Sequence, residues 1–257
     1  MRNNFIGLLL SFQFFSSLPV RKQLPMNANT VTSMYMMMPV LGALMGGTIC
    51  LLNFLNGEYL NLSTLLMSIL IVVAGIVMTG GLHLDGWIDL GDAYFSYQDQ
   101  ERRLEILEDS RVGAFGAISL VVLLLLKIGF IHEALIRDEQ HILYYFIIVP
   151  FLSRIALLFY FLISKPVKET GLAFYFKSQV IPKKVWFALI LYILLFTAFI
   201  IYFLNIYVMF LLLVLLLAVT LYKKWTVKNF GGMTGDLLGA LYEGSEVLLW
   251  AVVLLFI

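Results

Sequence analysis

Three aspartates, Asp85, Asp89 and Asp92, stand at i, i+4 and i+7 in the stretch GGLHLDGWIDLGDAYFS, residues 80–96. On a helix that spacing places all three carboxylates on one face. Like charges so close repel unless something positive sits among them, and a hard divalent cation with oxygen ligands is the economical answer. Mg2+ or Mn2+ suits the donor set, because three scattered histidines and one cysteine make no zinc constellation. The competing reading is a solvated helix face that keeps the segment in water. Gly80, Gly81, Gly86 and Gly91 interleave with the acids and point instead to close backbone approach. His83 is the one histidine near them and a candidate proton acceptor.

Two further stretches carry chemistry. In LEDSRVGAFG, residues 107–116, Asp109 and Arg111 flank Ser110 just before an apolar run. Such an acid can complete a metal shell while the planar guanidinium grips a phosphate. A helix cap, with Arg111 snorkelling to lipid headgroups, is the alternative. In NFGGMTGDLLGALYEGSEVLLW, residues 229–250, Asp236, Glu243 and Glu246 continue one helix face into the last apolar run. Carboxylates there must face protein interior or water, either as ligands or as hydrogen-bonded parts of a bundle. Gly231, Gly232 and Gly235 beside Thr234 are a candidate anion nest. Arg154, inside another apolar run, calls for a partner, an acid or an anionic substrate. Of 16 acidic residues, eight lie between Asp85 and Asp109, so the acids mark a site more than a surface.

The elements that must position these groups are membrane helices. Hydrophobic residues make up 61% of the 257-residue chain and charged ones 13%, against about 45–50% and 25% in soluble domains. No linker or fixed-period repeat divides it, so residues 1–257 read as a single integral-membrane domain. A spanning helix needs about 20 mostly apolar residues, and seven runs qualify: 34–55, 60–82, 112–131, 142–163, 185–204, 206–222 and 237–257. The stretch 5–18 is too short and reads as an interfacial or re-entrant helix. The expected fold class is all-α, a polytopic bundle of about seven spans plus that short N-terminal helix. With seven spans, 14 of the 17 lysines and arginines share one side, which the retention of basic loops makes the cytoplasm. The loops at 83–111, 164–184 and 223–235 are therefore expected to face the cytoplasm from a multi-pass protein of the plasma (inner) membrane. Gly42 and Gly46 at small-xxx-small spacing predict helix packing. The lipid bilayer is the expected partner, nucleic acid is not, and the apolar faces would look the same in an oligomer or a lone bundle.

Together the motifs resemble those of the adenosylcobinamide-GDP ribazoletransferase, or cobalamin synthase, family. GGLHLDGWIDLGDAYFS is similar to its GG-[LF]-H-x-DG-x-x-D-x-x-DG pattern, EDSRVGAFG to DSR-[LIV]-G, and GGMTGDLLGALYEGSE to GG-x-TGD-x-LGA-x-x-E-x-x-E, in order along nearly the full length. SFQFFSSLPV, PVLGALMG and the Ser153–Arg154 pair are weaker echoes, and Ala93 stands where the family usually has glycine. The resemblance implies a Mg2+-dependent transferase of phosphorus-containing groups. Its reaction would join adenosylcobinamide-GDP to α-ribazole or α-ribazole 5′-phosphate, release GMP and complete the nucleotide loop of adenosylcobalamin. It implies Asp85, Asp89, Asp92 and Asp109 as metal ligands, Arg111 as the group that neutralises phosphoryl charge, and His83 or a carboxylate as base. Gly80, Gly81, Ser110, Arg154, Gly232, Thr234, Gly235, Asp236, Glu243 and Glu246 are then the expected substrate-binding residues. A CDP-alcohol phosphotransferase is the alternative among enzymes, although its D-x-x-D-G…D-x-x-x-D spacing is absent here. A cation transporter is the alternative from another class; its acids more often gather near the midplane than at one rim.

Overall fold

In the computed structural model, which describes residues 2–137, 141–203 and 208–257, eleven α-helices follow one another, with one π-helical turn, Asn56–Leu60, after the second. They are α1 (Arg2–Phe15), α2 (Ala28–Leu55), α3 (Thr64–Thr79), α4 (Leu82–Phe95), α5 (Gln100–Leu107), α6 (Ala114–Arg137), α7 (Ile142–Ile163), α8 (Gly171–Gln179), α9 (Pro182–Phe203), α10 (Met209–Phe230) and α11 (Gly235–Val253). Their starts follow from short polar side chains that accept the otherwise unpaired first N–H groups. Asn27 and Thr30 form a reciprocal capping box on α2, while Ser63, Asp99 and Thr234 cap α3, α5 and α11. Among the described residues the only β-type pairing is a parallel bridge between Pro166 and Met233.

The expected run 60–82 is cut short by two glycines. Gly80 and Gly81 both take positive φ, 66° and 75°, a conformation that side chains disfavour, and they turn α4 by 97° from α3. Five helices, α2, α6, α7, α9 and α10, are long and apolar enough to cross a membrane, or six if the bent α3–α4 pair counts as one span. Seven runs were expected; the difference lies in this bend and in α11, which carries Asp236, Glu243 and Glu246 and is not among the qualifying helices. The expected run ends at Leu204 and Ile206 lie outside the described residues.

Helix α7 forms the centre, packed against α2, α9, α10 and α11, with Leu152, Ile155, Ala156 and Leu158 sealed from the surroundings. Its contact with α2 uses the small-residue pattern expected. A Cβ at Gly42 would lie 2.5 Å from the Pro150 carbonyl oxygen, and one at Gly46 2.4 Å from that of Phe146, so only glycine permits this approach. Helix α1 packs along α2, and α4 lies against α11, α6 and α5. Outward-facing Val77, Leu125, Leu194 and Leu213 remain exposed, as expected of side chains that a multi-pass membrane protein turns toward lipid.

Candidate active site

Helix α4 carries Asp85, Asp89 and Asp92 on one helix, as their spacing predicts. Gly86 seats α4 directly on α11: a Cβ there would lie 2.5 Å from the Asp236 carbonyl oxygen and 2.8 Å from its Cα. One turn away, a Cβ at Gly239 would meet the His83 backbone at 3.2 Å. This glycine seam delivers Asp236 to the acids of α4. Asp89 lies within electrostatic reach of Asp85, Asp92 and Asp236, and Asp236 within reach of Asp85 and Glu108. Among the described residues no lysine or arginine pairs with Asp85, Asp89 or Asp236.

The other two expected metal ligands are engaged elsewhere. Asp92 accepts the N–H groups of Gly113 (2.7 Å) and Gly116 (2.8 Å), and so caps the positive N-terminal end of α6 from a neighbouring helix. A Cβ at either glycine would fall within 2.4 Å of an Asp92 oxygen, which explains the glycines of the DSRVGAFG stretch. Asp109 receives Arg111 through two nitrogens, Nε at 2.9 Å and Nη2 at 2.6 Å, in an exposed turn beside Ser110. That guanidinium holds the Asp109 carboxyl at about 2. The four-carboxylate shell expected from sequence is therefore not gathered. Among the described residues no group of three His, Cys, Asp or Glu side chains is close enough to hold an ion by itself. Asp85, Asp89 and Asp236 are oxygen donors without cationic partners among the described residues.

Asp85 and Asp236 border a cavity of about 540 Å³. His83, Asp85, Thr234, Gly235 and Asp236 line it, joining five of the residues that the sequence marked. His83 is 3% exposed, its ring centroid lies 4.2 Å from that of Tyr242, and its Nδ1 has no hydrogen-bond partner among the described residues. Thr234 caps α11 by accepting the Leu237 N–H, and its hydroxyl stands 3.5 Å from an Asp236 oxygen. The bridge from the 165–167 segment to Met233 joins two lining segments, and Gly232 is required there, because a Cβ would lie 2.6 Å from the Lys165 carbonyl oxygen. The wall also includes Glu108 and Lys168, paired at 2.6 Å, and an aromatic group from α1, α2 and α8. Neither set announced itself in the sequence; no local spacing joins residues from separate elements.

Arg154, Glu243 and Glu246 sit in the bundle interior and not in the cavity lining. Lys127 pairs with Glu243 and, at 2.7 Å, with Glu246. The Tyr242 hydroxyl donates to Glu246. Arg154 donates to the Tyr242 hydroxyl and the Pro150 carbonyl, both at 3.1 Å, and lies 4.8 Å over the Tyr242 ring. The structure thus gives these three expected ligands an internal ion-pair and hydrogen-bond network, the usual fate of charge inside a membrane bundle. Gly80 and Gly81 likewise serve the α3–α4 bend and do not line the cavity.

The fold and the cavity together define a multi-pass helical bundle with an acid-bordered cavity. Comparison with known proteins narrows the class. The chain belongs to the cobalamin-5-phosphate synthase family, whose family model matches residues 7–254. It is similar to proteins named adenosylcobinamide-GDP ribazoletransferase from Geobacillus sp. (strain WCH70), 36% identical across 98% of this chain and 97% of that one, and from Halalkalibacterium halodurans, 31% identical across 100% and 98%. One from Clostridioides difficile is 30% identical across 96% and 97%. No solved structure matches the chain.

Proposed function

We propose that the chain transfers the adenosylcobinamide phosphate moiety of adenosylcobinamide-GDP to α-ribazole or α-ribazole 5′-phosphate, with release of GMP, at the cytoplasmic face of the plasma membrane. The observation that carries this reading is that Asp85 and Asp236 line the cavity with Asp89 within electrostatic reach of both, none of them paired with a lysine or arginine among the described residues. A ribose hydroxyl attacks the phosphorus attached to the cobinamide side, the bond from that phosphorus to the GMP oxygen breaks, and the hydroxyl proton passes to His83 on the cavity wall. Asp85, Asp89 and Asp236 would hold Mg2+, or Mn2+ in its place, and a bound ion supplies charge neutralisation for the diphosphate and the departing GMP. Asp92, by fixing α4 to the N-terminus of α6, orients the face that carries the other two aspartates. Arg111, whose side chain is 87% exposed beside Asp109, would take a phosphate oxygen through its planar fork.

The test is GMP release by purified protein in lipid, supplied with adenosylcobinamide-GDP and α-ribazole 5′-phosphate, with and without Mg2+. Turnover is expected only with the ion, and Asp89→Asn is expected to lower it by about 10²-fold or more, the scale of losing one preorganised electrostatic contact. Turnover that survives in Asp89→Asn would leave the reaction standing and move the metal elsewhere. No GMP from folded protein would remove the reaction itself.

A further inference from the structure

The cavity is chemically two-sided. Phe14, Phe15, Tyr35, Phe174 and Phe176 line it, and four of these touch in a continuous edge-to-face group: Phe14 to Phe176 at 5.3 Å, Tyr35 to Phe176 at 5.9 Å and Phe15 to Tyr35 at 6.3 Å. The remaining wall carries Asp85, Asp236, Glu108 and Lys168, the acids within electrostatic reach of one another. Lys168 is the one lysine or arginine among the lining residues. Its partner Glu108 is 63% exposed and Lys168 itself 47%, so the pair is held weakly and can exchange for a stronger anion. His83 adds a buried nitrogen, Nδ1, that nothing among the described residues satisfies.

We infer that this cavity seats the riboside acceptor alone, its flat base against the aromatic wall and its 5′-phosphate on Lys168, while the corrinoid donor stays outside. The inference rests on the transferase reading and assigns the two substrates to different places. Size decides between them. At about 540 Å³ the cavity falls within the roughly 300–1,000 Å³ that suits one small ligand. A riboside phosphate is of that size, and a GDP-bearing corrinoid is several times larger. Edge-to-face aromatic walls take flat rings, and stacking a base on aromatic side chains contributes about 1–3 kcal/mol. Seated so, the ribose lies between the aromatic group and the acids, and its hydroxyl faces the Asp85 and Asp236 edge, where the donor diphosphate must arrive. Phe14 and its neighbours then set which lower bases are accepted, and Lys168 sets the preference for the phosphorylated acceptor.

The experiment measures KM for each substrate separately in lipid-embedded protein, and binding of α-ribazole and α-ribazole 5′-phosphate without donor by equilibrium dialysis, in Phe14→Leu and Lys168→Met. Lys168→Met is expected to weaken the phosphorylated acceptor about tenfold more than the free riboside, as loss of one charge-assisted hydrogen bond predicts. Phe14→Leu is expected to weaken both acceptors by a similar factor and to leave the donor KM within about twofold of wild type. A donor KM that rises while the acceptor KM stays fixed would overturn the assignment, as would variants that change neither. Should Phe14→Leu fail to fold, Lys168→Met decides, because its site is an exposed ion pair. If wild-type protein releases no GMP, the transferase reading fails, and dialysis still decides the cavity: riboside binding that drops in the variants supports the seat, and binding unchanged by them removes it.

Discussion

Lys127 is 8% exposed and bridges two glutamates of α11 from its place in α6. In a low-dielectric interior, truncating one member leaves its partners buried and uncompensated, which costs about 3–5 kcal/mol. Replacing all members by neutral side chains of similar size removes both the attraction and the desolvation cost, and is often close to neutral. Lys127→Met is therefore expected to destabilise the protein by about 3–5 kcal/mol, and the triple change Lys127→Met, Glu243→Gln, Glu246→Gln to recover most of that loss. Unfolding in mixed detergent micelles, followed by circular dichroism, measures both; equal stability of the single variant and wild type would show that the pairs do not couple. Nothing local in the sequence announces this contact. Lys127 lies 116 and 119 positions from its partners, and each residue alone reads as an isolated charge in an apolar run. Asp85, Asp89 and Asp92 were legible because their contact rule is local, a helix period. The capping of α6 by Asp92 was not, because Gly113 and Gly116 come from the next element.

Between elements, glycine sets the distances. The glycines interleaved with the acids point to close backbone approach, and at Gly86 that approach is what joins α4 to α11. Gly80 and Gly81 instead make a bend; composition does not separate a packing glycine from a turning one, since the difference lies in φ and in what stands opposite. Gly86→Ala must push the helices apart, because its Cβ would meet backbone atoms of Asp236 that no rotamer can move. Such overpacking costs about 1–3 kcal/mol, and a displacement near 1 Å at reacting groups can cost about 10²-fold in rate. Gly75→Ala is the matched control, since a Cβ there meets nothing within 4 Å and alanine in a helix gains about 0.5–1 kcal/mol. The expected outcome is GMP release lowered at least tenfold by Gly86→Ala, on the displacement argument, and left near wild type by Gly75→Ala, with unfolding measured alongside. A normal rate in Gly86→Ala would mean that the α4–α11 seam does not set the acid geometry.

Across the molecule, the cavity draws on three loops that the charge bias places on one side: residues of 83–111, 164–184 and 223–235 meet on its walls. The bundle was legible from hydropathy; the number of crossings was not, because it turns on the α3–α4 bend. Helix α3 has 16 residues, about 24 Å at 1.5 Å per residue, against a hydrocarbon core of about 30 Å. It can cross only with local thinning of the bilayer or with help from the start of α4. Charge favours crossing: between positions 51 and 79 the one charged residue is Glu58, whereas Arg102, Arg103 and Arg111 follow α4, and basic segments are retained in the cytoplasm. Tyr59, 75% exposed after α2, and Gln98, exposed after α4, should then lie on opposite sides. In a Cys50→Ser background, which removes the single native thiol, Tyr59→Cys is expected to react with a membrane-impermeant maleimide in intact cells and Gln98→Cys only after lysis. Labelling of both from the same side would make α3 and α4 a re-entrant hairpin. The acids of α4 would then reach the cavity by dipping into the membrane and returning, and the donor would have to meet them within the bilayer instead of at its surface.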